Sequence, residues 1–295
     1  MEYFFQLFTS GFLTGAVYAL MALGIVVIYK ASSVFNFAHG SMVAFTAYLV
    51  WYWIVGLHLH PLVCLVLSLM VLAVLAFLVQ RLILYPLTGQ PVLAAIVATL
   101  ALSEVMAGLL TLLWPGPART YPPFLPTGTI HLGGIVISEA EIINFIICGG
   151  TFLGFLLFFQ KSKLGLTMRG TAEDHQLARS EGVRVNRIFV LAWFIAIILA
   201  GMGGFLMAFL HGVNHEPLIA LGMKSLAVVI LGGMESITGA VIGGFAIGIL
   251  EALGAGYLDP ILGGGVEEVF PFVILLVVLL IKPYGLFGYK RIERV

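Results

Sequence analysis

Three ionisable side chains, Glu104, Lys224 and Glu251, lie inside long apolar segments. A charge in the middle of a membrane-spanning helix costs about 2.5–3.5 kcal/mol or more, so such residues point first to an ion or solute pathway. Two other interpretations stay open. Lys224 is close to the start of its segment, and its long stem could carry the ammonium group to the outer headgroups. Glu251 could instead hold a helix bundle together as an ion pair or as a neutral, hydrogen-bonded carboxyl.

Two segments rich in polar residues and glycine interrupt the apolar pattern, at 31–41 and at 222–244. Asn36 and His39 in the first are spaced i, i+3, which predicts that they share one face of a helix. Non-helical backbone at membrane depth is tolerated only against other protein or beside a water-filled cavity, and transporters place their pathways at such broken helices. The alternative is that the glycines simply let helices pack closely.

A third segment, 171–182, is too polar to enter the bilayer. Thr171 and Asp174 fit the [ST]-x-x-[DE] start of a helix, and Gly182 fits a left-handed stop, which predicts a helix of about ten residues and roughly 15 Å. A short capped helix outside the membrane suits docking into a groove of a soluble partner; the alternative is a solvated loop with an incidental cap. The candidate docking residues are Thr171, Ala172, Glu173, Asp174, Ala178, Arg179 and Gly182.

The elements that position these residues are membrane spans. The 295 residues are 61% hydrophobic and 9% charged, against roughly a quarter charged in soluble domains. We expect an all-α polytopic membrane protein forming one permease domain over 1–295, with about eight or nine transmembrane helices, some broken by glycine. The apolar runs are 10–29, 40–57, 61–80, 92–114, 142–159, 188–210, 218–234, 237–256 and 269–281.

The basic residues set the orientation. Six of the fourteen lie in the loop 160–187, which the excess of Lys and Arg in cytoplasmic loops places in the cytoplasm. Lys282, Lys290, Arg291 and Arg294 place the C-terminus there too, so parity favours nine spans with the N-terminus outside. The loop 115–138 is then external, and its Pro and Gly content predicts an irregular cap. Formal net charge is zero, which gives no indication of a nucleic-acid partner.

Sequence signatures of catalysis and nucleotide binding are absent. There is no G-x-x-x-x-G-K-[ST], H-E-x-x-H, G-x-S-x-G or paired-Cys metal motif, and Cys64 and Cys148 lie in apolar runs without a predicted redox role. We therefore expect no enzyme activity and no cofactor. If the protein moves a solute uphill, the energy arrives through a partner. The alternative is a secondary transporter or channel that uses Lys224, Glu104 or Glu251.

Four segments together resemble the permease subunits of branched-chain amino acid ABC transporters, and a length of 295 residues fits the shorter of the two permeases. These segments are Phe35-Asn-Phe-Ala-His-Gly40, Ala172-Glu-Asp with Ala178 and Gly182-Val183, the stretch from Lys224 to Ala240, and Lys282-Pro-Tyr-Gly-Leu-Phe-Gly288. The resemblance implies a multi-pass protein of the bacterial inner membrane. Its expected partners are a second related permease, two cytoplasmic ATPases that bind the ATP, and a periplasmic solute-binding protein.

The resemblance also implies roles for the polar segments. The helix in 172–181 would be the coupling helix that transmits ATPase closure, and alternating access would move the solute. Solute would enter near 115–138 and 211–217. The expected path residues are Asn36, Phe37, His39, Ser41, Lys224, Gly232, Gly233 and Glu251. Ser41 and Tyr29-Lys30 depart from the usual family pattern, and relatives are associated with urea, short amides and aromatic acids, so the solute stays open.

Overall fold

A computed structural model describes residues 1–87, 89–124, 126 and 128–288, apart from the side chain of Leu132. The basic residues Lys290, Arg291 and Arg294, used above for orientation, lie outside this part. The described chain has eleven α-helices and one β-hairpin. The elements are α1 (Glu2–Ser32), α2 (His39–Leu57), α3 (Pro61–Val79) with a π-helical turn at Gln80–Leu84, α4 (Val92–Leu113), β1 (Thr129–Leu132), β2 (Ile135–Ser138), α5 (Glu139–Lys161), α6 (Lys163–Glu173), α7 (His175–Ser180), α8 (Val185–His211), α9 (His215–Gly232), α10 (Ile237–Leu262) and α11 (Val266–Ile281).

Eight helices of the described chain are long and apolar enough to cross a bilayer, namely α1 to α5 and α8 to α10. The predicted fold class, with eight or nine such helices, is confirmed. The ninth apolar run forms α11, which has 16 residues and is about 24 Å long at 1.5 Å per residue. That length is below the roughly 30 Å of hydrocarbon in a bilayer. Nine crossings with the N-terminus outside require α11, the shortest of the predicted spans, to cross as well, so that topology stays a prediction.

The chain divides into two compact units. We call residues 27–124 and 149–223 the central unit, and residues 1–26, 125–148 and 224–295 the terminal unit. In the central unit α2, α3 and α8 pack on one another around Met42, Leu72 and Trp193, all nearly fully buried. At Gly204 an added methyl group would overlap the carbonyl of Val43, so these helices pack with their backbones close together, as small residues permit in membranes.

The terminal unit has a tight helix crossing of its own, between α1 and α10. A Cβ at Gly11 would lie 2.6 Å from the carbonyl oxygen of Gly248, and one at Gly15 would lie 2.9 Å from that of Gly244. Both helices therefore present a G-x-x-x-G face, and the two faces meet at backbone contact. The interpretation that glycines permit close helix packing is confirmed at this crossing.

The predicted irregular cap at 115–138 is wrong in its last ten residues. Strands β1 and β2 pair antiparallel, with Thr129 opposite Ser138. They are joined by Gly133 and Gly134, whose φ angles are 54° and 92°. Two glycines at positive φ form the two-residue turn that suits a hairpin. A Gly-Gly pair between alternating apolar residues predicts such a hairpin. The prediction of an irregular cap considered only the Pro and Gly content and missed this pattern.

Candidate functional site

The first polar segment forms a tight turn between α1 and α2, beginning with Ser33 at φ 55°. Asn36 is buried and organises this turn. Its Oδ1 accepts a hydrogen bond from the backbone N–H of Ala38 at 3.1 Å, and its Nδ2 donates to Sδ of Met42 at 3.6 Å. Helix α2 begins only at His39, so the prediction that Asn36 and His39 share a helix face is wrong. The Asn side chain bonds to the neighbouring backbone and favours a turn over a helix.

The first residues of α2 attach this turn to two other helices of the central unit. Ser41 Oγ lies 2.9 Å from Ser103 Oγ and 3.1 Å from the Ser103 carbonyl oxygen, which joins α2 to α4. Gly40 faces α9, where a methyl group on it would overlap the Ile219 carbonyl and one on Gly222 would overlap Gly40 itself. Glycine is therefore required on both sides of this crossing. The first polar segment thus lies at a close-packed crossing of α2, α4 and α9.

The remaining residues predicted in or near this segment differ in exposure. His39 is buried and Phe37 is half-buried, with its ring 6.2 Å from that of Phe35. Glu104 follows Ser103 on α4 and is exposed. The structure therefore gives Glu104 a position on the outer surface of the central unit.

Lys224 and Glu251 meet inside the terminal unit. The Lys224 ammonium donates to Glu251 Oε1 at 2.6 Å, and both side chains are buried. Tyr18 donates its hydroxyl to the same oxygen at 3.1 Å, and the largely exposed Glu267 lies 3.6 Å from the ammonium. The alternative in which Lys224 reaches out to the headgroups is wrong, because a carboxylate within the bundle satisfies it. The alternative in which Glu251 forms an ion pair has the geometry that it predicted.

This ion pair continues the glycine crossing of α1 and α10. On α10 the residues facing α1 are Gly244, Gly248 and then Glu251, spaced four and three apart. On α1 the corresponding face runs through Gly15 to Tyr18. Residues three and four apart share a helix face. The carboxyl therefore lies on the packing face of α10, and the hydrogen bond from Tyr18 adds a polar contact between the same two helices.

The second Gly-rich segment ends α9, and a distant stretch of chain caps it. Gly233 takes φ 104°, and Gly232 packs so tightly on Gly239 that a methyl group on either would overlap the other's backbone. The carbonyls of Leu231 and Gly232 accept from the backbone N–H groups of Leu286 (2.8 Å) and Phe287 (3.0 Å). The last carbonyls of a helix have no partner within it. The segment 284–288 therefore provides a cap that we did not predict, although 282–288 is one of the motifs in the sequence.

The predicted helix over 172–181 is wrong at its beginning. Thr171 lies inside α6, which continues to Glu173, and the chain then breaks at Asp174 with φ −152° and ψ 111°. Asp174 is the true N-cap of α7, since its Oδ1 accepts from the N–H groups of Gln176 at 2.7 Å and Leu177 at 3.0 Å. The bond to the Leu177 N–H, and then that to Gln176, lowers the pKa of the Asp174 carboxyl below its ordinary value. An aspartate is as good a cap as a threonine.

The end of this helix is as predicted, and its two faces differ. Gly182 takes φ 83°, the left-handed stop that glycine favours. Ala178 is buried, and the ring of His175 lies 3.0 Å from the carbonyl oxygen of Ala31 and edge-on to Phe189 at 5.5 Å. On the opposite face Leu177 is 62% exposed. Helix α7 is therefore held on the central unit by one face and presents the other outward.

The structure thus sorts the predicted residues into two groups. Lys224, Glu251, Gly232 and Gly233 belong to the terminal unit; the residues of the central unit are Asn36, Phe37, His39, Ser41, Thr171, Ala172, Glu173, Asp174, Ala178, Arg179 and Gly182. Tyr18, His175 and Leu177 contribute as well, and no local pattern in the sequence indicated a role for them. Within the described residues, no three His, Cys, Asp or Glu side chains are placed to hold a metal ion.

Comparison with known proteins extends these observations. The family described as "Branched-chain amino acid transport system / permease component" matches residues 7–281. The chain is 29% identical over 306 residues to the high-affinity branched-chain amino acid transport system permease protein BraD of Pseudomonas aeruginosa, covering 99% of this chain and 98% of BraD. It is 27% identical over 308 residues to LivH of Escherichia coli strain K12, with the same two coverages. A probable LivH of Methanocaldococcus jannaschii is 30% identical over 295 residues, 93% of this chain and 90% of that protein.

A solved structure supports the fold independently. The structure titled "PsaBC from Streptococcus pneumoniae in complex with Fab" contains a chain that matches 95% of this one, and 93% of its own length, with a TM-score of 0.52 at 12% identity. At that identity the likeness concerns the fold alone. The family match, in contrast, covers all eight candidate spans wholly or nearly so. The chain is a multi-pass membrane protein that belongs to the family of branched-chain amino acid transport system permease components.

Proposed function

We propose that this chain is the permease subunit of an ATP-driven importer in a bacterial inner membrane, and that it moves branched-chain amino acids or similarly small organic solutes. The observation that carries the proposal is the alignment over 98% of BraD and LivH, each titled a permease protein of a high-affinity branched-chain amino acid transport system. The sequence has no nucleotide-binding motif. ATP hydrolysis then belongs to two cytoplasmic partner subunits, and a second permease and a periplasmic solute-binding protein complete the assembly.

The proposed attachment point of the ATPases is the outward face of α7. A leucine that is 62% exposed in a polar loop suits burial in a groove of a soluble protein, with charged neighbours such as Glu173 and Arg179 at the rim. The opposite face is held by the bond of His175 to the Ala31 carbonyl, at the end of α1. A push on α7 would therefore be transmitted to the turn that precedes α2.

The proposed translocation path follows the two segments of broken helix, 35–41 in the central unit and 231–244 in the terminal unit. Both have non-helical backbone within otherwise helical chain, which membranes tolerate only where other protein or water satisfies the polar groups. Phe37, His39 and Ser41 are our candidates in the first segment, and Gly232 and Gly233 in the second. The pairing of Lys224 with Glu251 favours a supporting role for these two residues beside the path.

Reconstitution into liposomes tests the proposal as a whole. Purified with its co-expressed partner subunits, the chain is expected to take up labelled leucine only when ATP and the solute-binding protein are both supplied. The control is the chain alone in liposomes without ATP. Uptake under that condition would overturn the proposal in favour of a secondary transporter or channel. Failure of leucine with success of another small amide or amino acid would change the solute but keep the mechanism.

Substitution of Leu177 tests the coupling surface. Leu177→Asp places a charge in the proposed groove, and we expect solute-stimulated ATP hydrolysis to fall by roughly fivefold or more, as for loss of about 1 kcal/mol at an interface. Glu181→Ala, an exposed change just beyond α7, is the matched control and should leave the stimulation intact. Unchanged stimulation in Leu177→Asp, with normal membrane insertion, would remove the coupling role from this face.

A further inference from the structure

We propose that a cavity at one end of the central unit binds the headgroup of an anionic phospholipid with hydroxyl groups, of the phosphatidylglycerol type. The cavity has a volume of about 490 Å³ and lies where the π-helical turn after α3 meets the start of α8. It is lined by Phe77, Gln80, Arg81, Tyr85, Asn186, Arg187 and Val190. No acidic residue is among these lining residues, so the two guanidinium groups have no counter-charge within the cavity.

The lining changes from apolar to cationic along both helices. Phe77 lies one turn before Arg81 on the chain leaving α3, and Val190 lies one turn after Arg187 on the chain entering α8. On each helix the apolar residue is therefore nearer the middle of the span and the arginine nearer its end. A phospholipid has the same arrangement, with an acyl chain below a phosphate. A free phosphate ion has no use for an apolar half, so the gradient favours the lipid.

The predicted orientation places both arginines at the cytoplasmic face, where anionic headgroups attract them. Arg187 closes the loop 160–187, whose basic residues mark the cytoplasmic face. Basic pockets between helices on this face bind anionic headgroups, and each Arg near such a surface contributes about 1 kcal/mol. The Arg81 guanidinium lies over the Tyr85 ring, 5.2 Å from its centroid, which restrains it at the cavity wall. Two fork-shaped donors suit a phosphate group.

Gln80 is the reason for proposing a lipid whose headgroup has hydroxyl groups. Its side chain is buried, it lines the cavity, and its Oε1 accepts no hydrogen bond within the described chain. A buried acceptor without a donor is unfavourable by about 1–3 kcal/mol, and rotation of the Gln80 amide into the cavity would let a ligand hydroxyl donate to it. Gln80 also begins the π-helical turn, a distortion found frequently at functional sites. A glycerol headgroup offers the hydroxyl donor that a bare phosphate monoester cannot offer when it is fully ionised.

Native mass spectrometry of the full-length chain with its co-purifying subunits tests the proposal. Phosphatidylglycerol, phosphatidylcholine and phosphatidic acid are added in turn, with inorganic phosphate as competitor. We expect tight retention of phosphatidylglycerol alone, and a loss of roughly tenfold or more in the double variant Arg81→Gln/Arg187→Gln. Arg184→Gln, which removes a charge from the same loop but not from the cavity lining, should bind as the unaltered chain does.

Three outcomes would overturn the proposal. Equal binding of phosphatidylglycerol by the double variant would exclude the cavity, and displacement by millimolar inorganic phosphate would identify a site for free anions. Equal retention of phosphatidylcholine would exclude charge recognition.

If the double variant does not fold, Val190→Trp is the second variant: it fills the apolar half and keeps both arginines, and it too should lose the lipid. Gln80→Leu should abolish the preference for phosphatidylglycerol over phosphatidic acid. Lipid retention is measured without transport, so failure here leaves the proposed function standing.

Discussion

The buried ion pair of the terminal unit and the exposed helix α7 of the central unit both contain charged residues of interest, but they use them in opposite ways. In the first, Lys224 and Glu251 are buried and satisfy each other at 2.6 Å. In the second, Asp174 satisfies the helix backbone, and an apolar side chain, Leu177, is what the surface presents. Leu177 is therefore an apolar side chain left exposed, whereas Lys224 and Glu251 in the apolar bundle are already paired with each other.

This difference separates stability from function. A charge inside a membrane bundle is a pathway residue by default, but here the ion pair lies on the face where α1 and α10 pack, and its loss should affect folding first. An exposed leucine contributes little to the folded chain alone, so its loss should affect only the assembly. Substitutions at the ion pair and on α7 should therefore produce two different kinds of effect.

The largest effect is expected from Glu251→Ala. It leaves the Lys224 ammonium buried and facing only the more distant Glu267, and removal of one partner of a buried ion pair costs about 3–5 kcal/mol. We expect a strong drop in the yield of monodisperse protein in detergent and in its thermal unfolding temperature. Lys224→Ala should be somewhat less severe, because Glu251 can take up a proton and keep the hydrogen bond from Tyr18.

The double variant Lys224→Met/Glu251→Leu tests whether the ion pair only supports the helix bundle or lines the translocation path. Replacing both charges with apolar residues of similar volume is often neutral, so stability should return. If ATP-driven uptake returns with it, the ion pair only supports the bundle. A stable double variant without uptake would instead place these residues in the path and exclude a purely supporting role.

A smaller effect on stability is expected from Gly248→Val. The added side chain would collide with the Gly11 carbonyl, 2.5 Å from a Cβ at this position, and overpacking costs about 1–3 kcal/mol. The unfolding temperature should fall, and the ion pair one turn along should be disturbed too. Gly108→Val on α4, where nothing lies within 4 Å of the added carbon, is the control. Equal stability of the two variants would show that α1 and α10 do not pack at this crossing.

Much of this architecture could be predicted from the sequence, because apolar length and the positions of glycine act locally. The eight candidate spans follow from runs of about twenty apolar residues, which is a requirement of bilayer thickness. The breaks near Asn36 and Gly233 follow from residues that favour turns. The left-handed stop at Gly182 was predicted for the same reason: glycine alone takes this conformation readily.

The contacts between distant residues could not be predicted in this way. Tyr18 and Glu251 are 233 positions apart, and the carbonyl of Leu231 is capped by the N–H of Leu286; no local pattern joins either pair. The start of α7 was misplaced for another reason. Thr171 and Asp174 are both competent caps, but α6 continues through the threonine, whose hydroxyl donates to the Thr167 carbonyl at 2.8 Å instead of capping a new helix.

The smallest effect is expected from Asp174→Ala, which tests the cap of the exposed helix α7. Loss of the acceptor frees the N–H groups of Gln176 and Leu177, so hydrogen exchange at these two amides should accelerate at neutral pH while the amides of α8 stay unchanged. Because the pKa of Asp174 is lowered in the folded chain, the charged cap stabilises α7 at every pH above the ordinary carboxyl value of 3.8 and is lost as the pH falls through the lowered value. Neutral pH is therefore the condition of full effect. Asp174→Asn keeps an acceptor oxygen and should protect both amides nearly as well.

Solute-stimulated ATP hydrolysis should fall less in Asp174→Ala than in Leu177→Asp, since the first loosens the helix and the second removes its contact. The reverse order would mean that the fold of α7, rather than its apolar face, determines coupling.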